Sequence, residues 1–166
     1  MSKSRNILFN ETTDRLDIHF EDDIRGGANY DVAVENQNTL YISGMIPRIQ
    51  GAIAVTGRVG ETTTLENAKR AAQICILRTI AALRQTLGSL ERVKKILRVT
   101  VYVQSAADFT QQSEVADAAS DILYSIFAPD GGHTRTSVGV YQLPKNASVE
   151  IDLIASINDA LPRGEN

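Results

Sequence analysis

Apolar residues recur along this chain with two different periods, and the switches between them predict its elements. Residues 30–34 (Tyr-Asp-Val-Ala-Val) alternate with a period of two, as a half-buried strand does. Polar residues 35–38 follow, and residues 39–44 read as the returning strand of a hairpin. Residues 47–60 form a loop rich in glycine and small residues, with a short strand expected near 53–55. Ala68, Ala71, Ala72, Cys75, Leu77, Ile80, Leu83 and Leu87 then make the broad apolar face of a helix. Thr63-Thr64-Leu65-Glu66 matches a capping box at its start, with Thr63 and Glu66 satisfying each other's free amides, and Gly88 stops it.

The β-branched run 93–103 predicts a strand whose Val99-Thr100-Val101-Tyr102-Val103 end is buried on both faces. Asp108 is expected to cap a second helix running to Phe127, which Pro129-Asp130-Gly131-Gly132 ends. Residues 138–142 and 148–157 supply two last strands around a Leu143-Pro144-Lys145-Asn146 turn. Residues 1–29 carry the weakest pattern: a helical turn at Ile7-Leu8-Phe9, an edge strand near 16–20, a solvated turn at Asp22-Asp23 and a break at Gly26-Gly27. The order β-β-α-β-α-β-β predicts an α+β fold, a mixed sheet with two helices on one face.

Bulk properties narrow the function classes. The 166 residues predict one domain spanning 1–166, and 43% hydrophobic with 22% charged residues is an ordinary globular balance. A net charge of -3 leaves no electrostatic footprint for nucleic acid or an acidic membrane. The lone Cys75 excludes an internal disulfide and falls on the helix's apolar face, as a buried, inert thiol would. No apolar run is long enough to cross a bilayer and the N-terminus lacks a signal-peptide core, so a cytoplasmic protein is expected.

The residues that could carry chemistry are few. His19 and His133, the only histidines, lie outside any metal-ligand spacing, and Ser43-Gly44 lacks the pattern of a nucleophile elbow. Asp117 and Asp121, at i and i+4, read as a solvated stripe. Arg135 follows a glycine pair, and its planar fork suits a carboxylate or phosphate. Glu150 lies on the last strand. The two make either a small polar site, with His133 nearby, or solvated sheet residues joined at most by a weak cross-strand ion pair.

Several motifs occur in a telling order: Tyr30 ahead of the hairpin, Ser43-Gly44-Met45-Ile46-Pro47, a long Ala-rich helix ending in Leu87-Gly88-Ser89-Leu90, and the Val-Thr-Val-Tyr-Val strand. Asp108-Phe109, the Thr134-Arg135-Thr136 loop, Leu143-Pro144 and Val149-Glu150-Ile151 follow. Over more than three quarters of its length the chain resembles the Rid family of reactive-intermediate deaminases, also called YjgF-like. The resemblance implies a chorismate-mutase-like subunit, a homotrimer with three inter-subunit clefts, and hydrolysis there of enamine or imine intermediates of amino acids to 2-oxo acids and ammonia. It implies no cofactor and no metal.

The family's carboxylate-binding arginine matches Arg135, and its water-handling acid, fifteen positions on, matches Glu150. Its tyrosine and serine, thirteen positions apart, match Tyr30 and Ser43. Where members read Pro-Ala-Arg-Ser, this chain has His133-Thr134-Arg135-Thr136, which places a titratable ring beside the expected cleft. The family's helix asparagine corresponds to Ser113 or to Asp117, depending on the end from which one counts. Residues 1–29 are a longer N-terminal extension than members carry. A trimeric small-molecule binder using the same Arg135 clamp is the alternative reading, and a ribonuclease is a third that the acidic charge disfavours.

Overall fold

The computed structural model describes residues 3–20, 23–26 and 29–159; Asp22 and Gly27 of the expected N-terminal turns lie outside these. A five-stranded sheet in the order β1-β2-β7-β5-β6 forms the frame. Its strands are β1 (Ala33–Asn36), β2 (Thr39–Met45), β5 (Val93–Gln104), β6 (Thr134–Val140) and β7 (Val149–Ile157). A separate two-stranded ribbon, β3 (Arg48–Ile49) and β4 (Ala52–Ile53), sits in the loop after β2. All neighbours in the main sheet are antiparallel except β5 and β6, which run parallel because a helix crosses over between them.

That crossover helix is α3 (Gln112–Phe127), and α2 (Leu65–Leu87) lies beside it. Along β7, Val149, Ile151, Leu153, Ala155 and Ile157 are buried under the helices while the residues between them face the other way. This is the period-two alternation of a sheet covered on one face.

The α+β architecture with a mixed sheet is as the sequence predicts, but the described residues hold three α-helices rather than two. Residues 5–16 form α1 (Arg5–Leu16), started by Ser4, whose hydroxyl accepts from the Ile7 amide at 3.3 Å. Its anchors are long-range: the Arg5 guanidinium donates to the Val93 carbonyl and, at 2.6 Å, to Asp130 Oδ2. Residues 16–20 form no strand.

Three boundaries also move. Thr64, not Thr63, caps α2, accepting from the Asn67 amide at 3.2 Å. Glu66 therefore falls one position short of a capping box and instead pairs with Lys69 at 3.1 Å. Asp108 does not cap α3; a turn in which the Phe109 amide donates to the Ala106 carbonyl intervenes, and the helix starts after Gln111 with no side-chain cap. Finally, β6 begins at Thr134, so Arg135 is a strand residue rather than part of the preceding loop.

Candidate functional site

Strand register decides which side of the sheet each candidate occupies. Cα partners across neighbouring strands share a face. One row runs Ala33, Ile42, Leu153, Val99, Arg135, and its buried members place Arg135 on the helix-covered side. A row three positions further along β5 runs Glu150, Tyr102, Val138 and belongs to the open side. Within one chain Arg135 and Glu150 are therefore on opposite faces, so the cross-strand ion pair is excluded. They form two half-sites.

The Glu150 half-site is a cavity of about 340 Å³ lined by Glu150, Tyr30, Gly44, Arg48, Arg78 and Pro144, among others. On the β2 side it is lined by Gly44, Met45 and Ile46, next to the departure from regular β2–β7 pairing between Ile42 and Met45. Gly44 sits at that irregularity, and a Cβ there would lie 2.1 Å from Glu150 Oε1, so only glycine lets the carboxyl rest against the strand. Burial, and then the negative charge of Asp152, push the Glu150 carboxyl above its ordinary value. A carboxyl raised in this way holds its proton more readily than a free one, which suits it to general acid–base work.

Tyr30 lines the cavity from the segment before β1 and is half exposed. Ser43 is not among the lining residues. Its hydroxyl donates to the Asp31 carbonyl at 2.7 Å and its amide to the Val32 carbonyl at 2.9 Å, so it fixes the backbone just after Tyr30. Arg48 carries no signal in the sequence, since an arginine after Pro47 belongs to no pattern; it makes no side-chain hydrogen bond or ion pair among the described residues.

The Arg135 half-site lies between β6 and α3. Arg135 Nη1 donates to Asp117 Oδ1 at 2.8 Å and to Ser120 Oγ at 3.0 Å. Asp117 and Ser120 are three residues apart on α3 and so share a face, a spacing that could have flagged Ser120. His133 Nε2 is 3.0 Å from the same Ser120 oxygen, and Nδ1 is 2.7 Å from the Gly131 carbonyl. A carbonyl can only accept, so Nδ1 carries the proton, and in the neutral ring Nε2 accepts from the serine hydroxyl. The chain Gly131–His133–Ser120–Arg135 thereby sets the guanidinium's position. Of the two residues that could replace the family asparagine, Asp117 meets Arg135, whereas Ser113 Oγ lies 3.4 Å from Ser137 Oγ on β6.

Cys75 is fully buried on α2, its thiol directed at the Val149 carbonyl at 3.5 Å. Burial, and next the Glu150 charge, raise its pKa well above the ordinary thiol range, the opposite of a nucleophile's need. Among the described residues, no three His, Cys, Asp or Glu side chains converge as a metal site would require.

Comparison with known proteins agrees with this frame. The family model described as endoribonuclease L-PSP matches residues 20–157. Protein TCP17 of Trypanosoma cruzi is 37% identical over 132 residues, covering 79% of this chain and 82% of its own. A protein of unknown function from Agrobacterium tumefaciens superposes with a TM-score of 0.85 at 32% identity, over 93% of this chain and 95% of the other. A putative endoribonuclease from Shewanella oneidensis superposes at 0.86 with 24% identity, over 93% of this chain and all of that one, which speaks for the fold alone. No helix among the described residues is long and apolar enough to cross a membrane.

Proposed function

The chain belongs to the L-PSP family, also known as YjgF/Rid, and from that premise we propose that it hydrolyses enamine or imine intermediates of amino acids to 2-oxo acids and ammonia. The observation that carries this reading is Glu150, a half-buried carboxyl with a raised pKa held against Gly44 in a cavity that also takes Tyr30.

The reaction asks little of a protein. A proton is added to the enamine carbon to give an iminium, water adds to the C=N carbon, and the C–N bond of the resulting carbinolamine breaks to release ammonia. Glu150 in its protonated form supplies the first proton and, once ionised, takes one from the attacking water. Holding the carboxylate of the substrate fixes which carbon faces Glu150, and orientation of this kind accounts for much of the rate gain open to an enzyme.

The carboxylate clamp in this reading is Arg135. Because it lies on the opposite face from Glu150 in its own chain, the complete site combines Arg135 of one copy with the Glu150 cavity of a neighbour. A homotrimer packed through the open sheet face would supply this arrangement, and Val34, Tyr41 and Val138 stand exposed on that face. A non-catalytic binder is the second reading. It is favoured by one feature, that Arg135 is already paired with Asp117.

The test is ammonia release from freshly generated 2-imino acids by wild type, Arg135→Ala and Glu150→Gln. Acceleration by wild type, lost in both variants, supports the deaminase. Wild type no faster than buffer across several side chains leaves the binder.

A further inference from the structure

Arg135 has one edge occupied and one edge open. Nη1 is saturated by Asp117 Oδ1 and Ser120 Oγ, while Nη2 and Nε have no partner among the described residues. The second oxygen of Asp117 is likewise without a partner among them. The arginine side chain is 24% exposed and the aspartate 60%, so the ion pair stands at the protein surface. A carboxylate facing a bare guanidinium would meet a net positive charge. Here it meets a neutral pair, with an acceptor beside the donors.

We propose that Arg135 and Asp117 form a dipolar head-group site selective for a zwitterionic α-nitrogen carboxylate over a plain carboxylate. The inference rests on the deaminase reading of the same clamp and adds the basis of its discrimination. The ligand carboxylate takes the open Nη2–Nε edge of Arg135, and the cationic nitrogen two bonds away donates to the open oxygen of Asp117. A protonated 2-imino acid has both groups. Its 2-oxo acid product keeps the carboxylate but presents a carbonyl oxygen to Asp117, where two acceptors meet and repel. Asp117 thus holds substrate and weakens product at the same spot. It is a specificity-determining residue, with no role in moving protons.

The probes are 2-aminobutanoate and 2-oxobutanoate, which share a carbon skeleton and differ in that nitrogen. Their dissociation constants are measured by calorimetry for wild type and Asp117→Asn, with melting temperatures to check folding. Asparagine keeps the acceptor for Arg135 Nη1 and removes the charge. Wild type should prefer the amino acid, and the ratio of the two constants should shift about tenfold toward the oxo acid in the variant. A ratio read on one preparation is insensitive to a partly unfolded fraction.

An unchanged ratio, a wild-type preference for the oxo acid, or no binding of either ligand overturns the proposal. Ammonia release is scored separately. Turnover with an unchanged ratio sinks only the role of Asp117, whereas a shifted ratio without turnover sinks only the deaminase.

Discussion

A methyl group on residue 44 would lie 2.1 Å from the Glu150 carboxyl, and the obstacle is the free end of a side chain rather than backbone. Gly44→Ala should therefore move Glu150 out of place at little cost to the fold. We expect the melting temperature to stay near wild type and the ammonia-release rate to fall by roughly tenfold or more. Titration of Glu150 gives an independent check. Burial and then Asp152 raise its pKa in the folded chain, so the folded state holds the proton more tightly than the unfolded one. Its contribution to stability is present in full below the ordinary carboxylate value and lost as pH rises through the folded one. Urea denaturation across the acidic-to-neutral range should show a weaker decline for Glu150→Gln than for wild type. The variant should be the more stable of the two at neutral pH.

At the scale of elements, the α3–β6 connection holds the Arg135 half-site in shape. Gly131 packs against helix backbone: a Cβ there would lie 2.7 Å from the Leu123 carbonyl oxygen and 2.9 Å from Tyr124 Cα. Helix backbone cannot swing aside, so Gly131→Ala should cost about 1–3 kcal/mol in urea denaturation. It should also loosen the His133–Ser120–Arg135 chain. The start of α2 can be tested in the same way. Thr64→Ala should cost about 1 kcal/mol, since Thr64 is the cap, and Thr63→Ala distinctly less.

A Thr-x-x-Glu pattern points to Thr63 as the cap, but adjacent threonines allow a slip of one residue. Helix α1 shows only as a helical turn in the sequence for a different reason. It buries only Phe9, Thr12 and Thr13, so it has no apolar stripe to detect. Arg5 holds it from afar, through Val93, Asp130 and the ring of Phe127.

For the whole molecule, the open face of the sheet is the feature that the helices leave uncovered. Val34, Tyr41 and Val138 are each more than a third exposed there. If the working site combines two copies through this face, a charge on it should abolish assembly and activity together. Val138→Glu is expected to sediment as a monomer, keep its helical circular dichroism and lose ammonia release. A variant that stays assembled and active would remove the open face from the site.

Sequence alone determined the α+β class, the long helix up to Gly88, the β-α-β-α-β-β succession from β2 onward apart from the β3–β4 ribbon, and Arg135 and Glu150 as candidates, because local periodicity and fixed motif spacing carry that information. Only the tertiary structure decided on which face each candidate stands. Arg135 and Glu150 are fifteen residues apart with a turn between them, and no spacing rule reaches across it. Register with β5 assigns one to the helix side and the other to the open side. The same holds for Gly44 against Glu150, for Asp117 and Ser120 on Arg135, and for Ser43, whose hydroxyl turns to the backbone. Each of these contacts joins different segments of the chain, and each exists only once the fold has set their relative positions.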